Sequence, residues 1–438
     1  MINSKLMRRK EMSMEENILP IILLLIVFLN CFPLNFFNAF TKESIGVSTI
    51  ILAIVFLVQT ILMIICLYKK VNFNKSFKII TSILVGITSV LTLIQIYNFI
   101  KKDFYIMDLF NIACQFINIF LMIACISGYK TKEKYIIFFM KGIVCLGFIA
   151  CLFNLYIYRD EIYKLVTLKN IGYVNIKGVF ANRNQFAFFL LVYIMATVFL
   201  LVKEKKPLYF LIFLPVFILN LFFTMSRTGL ICLLIFIGLY LLSTRQIKIR
   251  FKAIMIVLGI AVVLIGGLLI YKKNPGTLAM ILRMDQIRTL SGRTEIWKRG
   301  FSALEGNDLN YIVGVGRFKG ITKLVFDDGD SFTQFHNTYI EFLVAGGILE
   351  LIGMVGIYLF VFYKVSKSNM DKEYKIVYFN MLITFLIYML TESFGRFAIG
   401  ASDTICLIFF VSIPLLHANA LEVYERKECN KINEEKEV

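Results

Sequence analysis

The stretch FKAIMIVLGIAVVLIGGLLIY, residues 251–271, contains a single charged side chain, that of Lys252. A helix needs about 20 mostly apolar residues to cross the ~30 Å hydrocarbon core of a bilayer. The stretch IILLLIVFL, residues 21–29, has the same apolar character. Both stretches therefore predict transmembrane helices.

The composition of the whole chain agrees with this prediction. Of the 438 residues, 59% are hydrophobic and 17% are charged, whereas a soluble globular chain has about 45–50% apolar and about 25% charged residues. We therefore exclude a soluble enzyme, a secreted disulfide scaffold, a disordered protein and a nucleic-acid-binding protein. The sequence predicts an all-α polytopic membrane protein.

Twelve stretches are long and apolar enough to be transmembrane helices. They leave residues 1–17 and 417–438 as terminal tails, and residues 272–337 as one large loop between the ninth and tenth helices. The predicted spans are 18–38, 45–68, 77–100, 104–127, 135–158, 185–202, 207–224, 228–244, 251–271, 338–363, 375–393 and 398–416, so that helices one to nine occupy 18–271 and helices ten to twelve occupy 338–416.

The positions of lysine and arginine predict the orientation, because cytoplasmic loops are enriched in both. If residues 1–17 are cytoplasmic, every second connection is also inside, and these connections are short and strongly basic, as in Lys203-Lys205-Lys206. Both termini are then cytoplasmic and the loop 272–337 is extracytoplasmic. Much of the net charge of +18 is explained by this topology.

The nine cysteines give no sign of a disulfide framework or a thiolate metal site. Eight fall in predicted spans and Cys429 falls in the C-terminal tail, while the large outer loop has none. No Cys-x-x-Cys motif occurs. We interpret the cysteines as small buried side chains.

The outer connections carry arginine in a proportion that topology does not explain. Nine arginines fall on the outer side and five on the inner side. The planar guanidinium group matches a phosphate or a carboxylate, which a lysine ammonium does not. The outer face is therefore predicted to bind an anion, either lipid headgroups or a phosphorylated substrate.

Arg227 lies in the short turn between the seventh and eighth spans, within the sequence MSRTGL (225–230). The 19 residues from Pro207 to Met225 form a helix of only ~28 Å, at about 1.5 Å per residue. The turn is therefore expected at or below the headgroups, where an arginine is costly and indicates function. The alternative is an arginine that extends to lipid phosphates.

The sequence SGRTEIWKRGFSAL (291–304) predicts a helix that begins near Ser291 and Gly292. Arg293 in its first turn does not favour the helix dipole, so helix stability does not explain that residue. Trp297, the only tryptophan, lies one turn further along. An ordinary interfacial amphipathic helix is the alternative interpretation.

His336 lies at the junction of the large loop and the tenth span, and an imidazole can exchange a proton near neutral pH. Asn337 follows it and Glu341 lies about one helical turn further on. A capping or solvated histidine is the alternative. The other histidine, His417, follows the twelfth span and is interpreted as an interface residue without a role.

Further charged residues lie in or near the last three predicted spans. Glu392, Arg396 and Asp403 are spaced to form one stripe at the outer ends of spans eleven and twelve, and Glu350 lies within span ten. We interpret them as structural ion pairs between helices.

The motifs together resemble the O-antigen ligase and polymerase superfamily of bacterial envelope glycosyltransferases. The matching segments are GVFANRNQFAFFL (178–190), MSRTGL (225–230), SGRTEIWKRGFSAL (291–304), GVGRF (314–318) and HNTYIEFLVAGGILEL (336–351). Each is a loose pattern, but their order, their spacing and the long outer loop form a more specific combination.

The resemblance implies a membrane glycosyltransferase of the C type, in the bacterial cytoplasmic membrane, whose active site is extracytoplasmic. Its donor would be a polyprenyl-diphosphate-linked oligosaccharide. By this resemblance Arg227 and Arg293 would hold the diphosphate leaving group and His336 would orient or deprotonate the acceptor, with no metal and no other cofactor. Further contacts to the diphosphate or the glycan are expected from Arg183, Asn184, Arg288, Trp297, Arg317, Asn337 and Glu341.

Within the family, a polymerase extends a chain of repeat units, whereas a ligase moves the chain to lipid A core, a protein or another acceptor. The chain is rich in Ile, Lys, Phe and Asn and poor in Ala and Pro, which indicates an AT-rich genome and mildly favours a capsule or exopolysaccharide polymerase within the polymerases, which also include O-antigen polymerases. A flippase or transporter of lipid-linked oligosaccharides is the alternative from another class. Membrane lipids, a chain-length regulator and a flippase of the same pathway are the expected partners, and no nucleic acid is expected.

Overall fold

The structure is a computed structural model. It describes eight continuous ranges: 18–31, 132–167, 176–180, 182–206, 209–245, 292–322, 334–395 and 401–419. It also describes Leu324, positions 248 and 272, and scattered positions within 54–64 and 108–118. The predicted third and ninth spans lie outside the described residues, as do Arg288, Arg396 and Cys429.

The regular elements of the described ranges are all helical. They are α1 (Ile18–Cys31), α2 (Glu133–Ile157), α3 (Arg159–Thr167), α4 (Arg183–Glu204), a π-helical segment (Tyr209–Phe213), α5 (Leu214–Phe223), α6 (Arg227–Ser243), α7 (Arg293–Ser302), α8 (Leu309–Val313), α9 (Arg317–Ile321), α10 (Thr338–Lys367), α11 (Lys372–Tyr388), α12 (Ala401–Ile405) and a second π-helical segment (Cys406–Ser412).

Four of the described helices are long and apolar enough to cross a membrane: Glu133–Ile157, Arg183–Glu204, Thr338–Lys367 and Ser402–Asn419. They coincide with the predicted fifth, sixth, tenth and twelfth spans. Two shorter apolar helices, Leu211–Phe223 and Arg227–Ser243, correspond to the seventh and eighth spans. The all-helical membrane architecture is confirmed, while the count of twelve helices stays a prediction.

Helix α4 is the central helix of the described bundle. Its side chains are apolar almost all round, and every residue from Phe186 to Leu200 is buried, as expected of a helix surrounded by other helices. It packs against α2, α5, α6 and α11. The Asn182 side chain caps its first turn by accepting a hydrogen bond from the Gln185 backbone nitrogen. The cap fixes where the residues Arg183 and Asn184 begin the helix.

A tight turn joins α5 to α6, as the sequence predicts. Met225 adopts a φ of 53°, and Ser226 caps α6 by accepting a hydrogen bond from the Gly229 backbone nitrogen. Thr224 and Ser226 are buried. Arg227 is therefore the first residue of a helix that starts inside the protein, and its own side chain is partly buried.

The loop segment GVGRF docks on a break in α10. Gly346 and Gly347 leave helical geometry there, which frees two carbonyl groups from the helix. The backbone nitrogens of Val315 and Gly316 donate to the oxygens of Val344 and Ala345, at 2.9 and 3.1 Å. The motif is therefore a structural clamp that ties the loop helices α8 and α9 to α10.

Polar contacts join the ends of several described helices. At one end Lys203 binds Glu133 at 2.6 Å and Glu373 accepts a hydrogen bond from the Thr244 hydroxyl at 2.7 Å. These residues all border connections that the sequence predicts to be inside. The opposite end gathers the connections that the sequence predicts to be outside.

The interpretation of His417 as an interface residue is wrong. The helix continues to Asn419, and His417 is fully buried in it. Its Nδ1 atom lies 3.1 Å from the Tyr378 hydroxyl, and its ring packs edge-on against Tyr374. Hydropathy had placed the end of the span before the histidine, but aromatic packing keeps the residue inside.

Candidate functional site

A buried carboxylate, Glu392, is the centre of the candidate site. Its exposed fraction is 1%. Its Oε1 atom accepts a hydrogen bond from Arg293 Nη2 at 2.5 Å and another from Asn184 Nδ2 at 2.7 Å. Its Oε2 atom lies 3.4 Å from His336 Nδ1. Three residues that the sequence selects for chemistry thus meet at one acidic group.

The backbone around His336 is held in an uncommon conformation. His336 has a φ of 51°, in the left-handed region that non-glycine residues rarely adopt. Its neighbours hold it on both sides: Phe335 accepts a hydrogen bond from the Trp297 indole nitrogen at 3.0 Å, and Asn337 caps α10. Such local strain persists where the surroundings over-determine it, and it concentrates at functional sites.

Thr338 locks the segment that carries Glu392 to the start of α10. Its hydroxyl lies 2.7 Å from both the Glu392 and the Phe394 carbonyl oxygens, and its backbone nitrogen donates to the Met389 oxygen at 2.9 Å. Thr338 is two residues after His336, and its contacts are to the main chain at and beside Glu392. These contacts therefore fix the position of Glu392 relative to His336.

Aromatic rings pack around the segment that carries Glu392. The Phe188 ring lies 5.0 Å from the Phe394 ring and 5.4 Å from the Tyr388 ring, and the last two stack on each other. The Tyr388 hydroxyl also donates to the Asn184 carbonyl oxygen at 2.9 Å. The polar cluster is therefore placed directly on a packed apolar core.

Asn184 connects the carboxylate to the turn that carries Arg227. Its Oδ1 atom accepts a hydrogen bond from the Ser226 hydroxyl at 3.0 Å. The starts of α4 and α6 are thereby joined to the same cluster. Arg183 precedes Asn184 and Arg227 follows Ser226 in the chain, so both arginines belong to the segments that this hydrogen bond joins.

Arg317 and Glu341 form a second buried pair, at 2.5 Å between Nε and Oε1. Both come from the elements joined by the GVGRF clamp, and Asp108 accepts a hydrogen bond from the Lys319 backbone nitrogen beside them at 3.3 Å. This pair joins α9 to α10, so its described contact is structural.

The sequence prediction and the geometry can be compared residue by residue. His336, Arg293 and Asn184 meet at Glu392, and Trp297 holds the residue before His336. Arg183 and Arg227 are chain neighbours of Asn184 and Ser226. Asn337 uses its side-chain oxygen to cap α10. Sequence reasoning noted Glu392 only as part of a structural stripe and did not select Ser226 or Thr338. An acidic residue at the edge of an apolar span was the available signal for Glu392.

Within the described ranges, no group of three or more His, Cys, Asp or Glu side chains is arranged to hold a metal ion. The arginines are the described groups suited to a phosphate. A metal-independent reaction stays a prediction.

Residues 208–357 match the family model described as O-antigen ligase. The match includes Arg227, Arg293 and His336, and it ends before Glu392. It confirms the resemblance to the O-antigen ligase and polymerase superfamily over this part of the chain, and with the apolar helices it indicates a multi-pass membrane protein of that kind. No curated protein sequence matches the chain.

Proposed function

We propose, from the O-antigen ligase match and the Glu392 cluster together, that the protein is a membrane glycosyltransferase. In this proposal it polymerises polyprenyl-diphosphate-linked oligosaccharide repeat units at the extracytoplasmic face of the bacterial cytoplasmic membrane. The product would be a capsule, an exopolysaccharide or an O-antigen.

Arg293 and Arg227 are proposed to bind the diphosphate of the donor, with Arg183 beside them. Negative charge develops on the leaving diphosphate as the glycosidic bond breaks. Guanidinium groups that hold the diphosphate of the bound donor, in a site of low dielectric constant, stabilise this charge as it develops. The placement of Arg293 at the start of α7 and of Arg227 at the start of α6 supports this role.

His336 is proposed to accept the proton of the attacking hydroxyl. The hydroxyl oxygen of the acceptor forms a bond to the anomeric carbon, and the bond from that carbon to the phosphate oxygen breaks. The electron pair of the broken bond goes to the diphosphate, and the hydroxyl proton goes to His336 Nε2. In this proposal His336 reacts as the tautomer that carries its proton on Nδ1, the atom 3.4 Å from Glu392 Oε2, so that Nε2 is free to accept the proton.

A ligase is the second candidate function, because the matching family model is described as O-antigen ligase. The donor and the site residues would be the same, and only the acceptor would differ. The alternative of a flippase has less support, because the proposed groups collect at one end of the bundle, whereas transporter sites lie near the midplane.

The observation that carries the proposal is the meeting of His336, Arg293 and Asn184 at one buried carboxylate. The test uses purified protein in liposomes with a polyprenyl-diphosphate-linked repeat unit, followed by gel analysis of the glycan. We expect a ladder of lengthened chains with the wild-type protein and none with His336→Ala, while His336→Ala still binds the donor.

Tyr363→Phe is the matched control, because Tyr363 is exposed on α10, far along the helix from His336. It should give the wild-type ladder. An unchanged ladder in His336→Ala would remove the histidine from the mechanism. If neither the wild-type protein nor the control variant gives a ladder, the polymerase is rejected. Transfer of the glycan to an added acceptor would then indicate the ligase, and movement of the donor across the bilayer would indicate the flippase.

A further inference from the structure

Glu392 contacts two side chains that can carry a positive charge, Arg293 and His336, and the two contacts differ in length. Arg293 binds Oε1 at 2.5 Å, whereas His336 Nδ1 lies 3.4 Å from Oε2. Charge-assisted N–H···O bonds are about 2.7–2.9 Å long, so the contact to His336 is weak in this arrangement. Arg293 supplies the positive charge that this buried carboxylate needs.

The two partners are also held in different ways. The Thr338 contacts join the start of α10, which follows His336, to the main chain at Glu392, and the residue before His336 is held by Trp297. Arg293 is the first residue of α7 and reaches Glu392 through its side chain. The main chain therefore holds the histidine and the carboxylate together, whereas the arginine contact depends on a long side chain from another helix.

We infer that Glu392 is a positioning residue that exchanges Arg293 for His336 as its main partner when a diphosphate binds. The identification of that diphosphate as the donor rests on the proposed function. A diphosphate competes with Glu392 for the guanidinium group. Once Arg293 turns to the diphosphate, the buried carboxylate keeps its hydrogen bond from the neutral Asn184 amide, and His336 becomes the partner that can supply a positive charge, because a nearby carboxylate favours the protonated imidazole. The base thus gains strength only when the leaving group is in place.

The other charged groups near His336 act in the same way on both arrangements. Arg183 and Arg227, the chain neighbours of Asn184 and Ser226, stay charged in both arrangements. Gln334, whose Nε2 lies 3.3 Å from His336 Nδ1, is neutral. The Arg317–Glu341 pair, one helical turn along α10, is internally balanced. The departure of Arg293 from Glu392 is therefore the change that leaves the charge of this carboxylate uncompensated beside the imidazole.

The chain contains two histidines, which permits a direct test. The full-length protein in detergent micelles, labelled with ¹³C-histidine, gives one Cε1 resonance for each. Arg293→Gln should move the titration midpoint of the His336 resonance to higher pH by about one pH unit, because Glu392 then has only the imidazole to balance it. In a Glu392→Gln background, the same change should have much less effect.

Inorganic diphosphate provides the second arm of the test. It should raise the His336 midpoint in the wild-type protein, and the rise should shrink markedly in Glu392→Gln. The rise that remains in that variant measures the direct effect of the added anion. Equal effects of Arg293→Gln, or of diphosphate, in the two backgrounds would overturn the inference, because His336 would then sense the charges independently of Glu392.

The His417 resonance reports folding in the same spectra, since this ring is packed between Tyr374 and Tyr378. If Glu392→Gln changes the His417 resonance, Glu392→Asp is used instead. Its shorter side chain moves the carboxylate away from His336, so the rise of the His336 midpoint with diphosphate should again be smaller. Neither arm uses a glycan or its transfer. If the His336 shifts depend on Glu392 but no chain is lengthened, the exchange of partners stands and the proposed function is rejected. If chains are lengthened but the shifts do not depend on Glu392, the proposed function stands and the exchange is rejected.

Discussion

The indole nitrogen of Trp297 donates a hydrogen bond of 3.0 Å to the carbonyl oxygen of Phe335, the residue before His336. The bond joins the loop helix α7 to the start of α10. Phe335 is fully buried, so its carbonyl group has little access to water. Trp297 therefore supports the left-handed backbone of His336 without any need to contact a substrate.

Trp297→Phe removes the described donor to the buried Phe335 carbonyl group, which costs about 1–3 kcal/mol of folding free energy. Because this cost falls on the backbone that places His336, chain lengthening should slow by about tenfold. The rate of ladder formation in liposomes is the measurement. Phe301→Leu on the same helix is the control, since Phe301 is exposed, and it should retain the wild-type rate. A wild-type rate in Trp297→Phe would separate the indole from the placement of His336.

The helices were predictable because their signals are local. The helix at 293–302 follows from its own sequence, and the α5–α6 turn follows from the length of the apolar segments around it. Hydropathy does not define helix ends as well: α11 ends at Tyr388 and the last described helix continues to Asn419, whereas the sequence predicts ends at 393 and 416. A hydropathy pattern does not register that an imidazole can be buried by aromatic rings.

The centre of the site was not predictable, because its contacts are long-range. Glu392 is 56, 99 and 208 residues from His336, Arg293 and Asn184, respectively. Its nearest charged neighbours in sequence suggested a stripe on adjacent helices instead. For Asn337, the described contacts are those of the side-chain oxygen that caps α10, and a contact to the substrate stays a prediction.

Arg293→Lys should lose most of the transfer activity. An ammonium group is a point charge and does not reproduce the fork that binds Glu392 Oε1 and is proposed to bind the diphosphate. A loss of about a hundredfold or more corresponds to roughly 3 kcal/mol, as for the removal of one preorganised donor to a developing anion. The liposome assay measures it, with Arg159→Lys as the control because Arg159 is exposed. Wild-type turnover in Arg293→Lys would exclude this role.

Gly347→Ala should destabilise the break in α10. An added Cβ would lie 2.3 Å from the backbone of Ile312, and the φ of Gly347 is 65°. Backbone strain of this kind costs about 1–3 kcal/mol before the steric clash is counted. Thermal unfolding in detergent should show a lower midpoint for Gly347→Ala than for the wild type.

Gly356→Ala is the matched control on the same helix, because no atom lies within 4 Å of its added Cβ. It should leave the midpoint unchanged or raise it slightly, since alanine favours a helix over glycine. Equal midpoints for the two variants would show that the GVGRF clamp tolerates displacement from α10.

Labelling of introduced cysteines tests the predicted orientation. Position 300 is unsuitable because an added Cβ at Gly300 would contact Phe335 and Ile340 at 3.0 Å, whereas Lys298 on the same helix is 79% exposed. Lys206 is also exposed, at the opposite end of the bundle. In intact cells, a membrane-impermeant maleimide should label Lys298→Cys and should label Lys206→Cys only after the membrane is opened. The reverse pattern would place the Glu392 cluster in the cytoplasm, where it would not meet a donor displayed on the outer face.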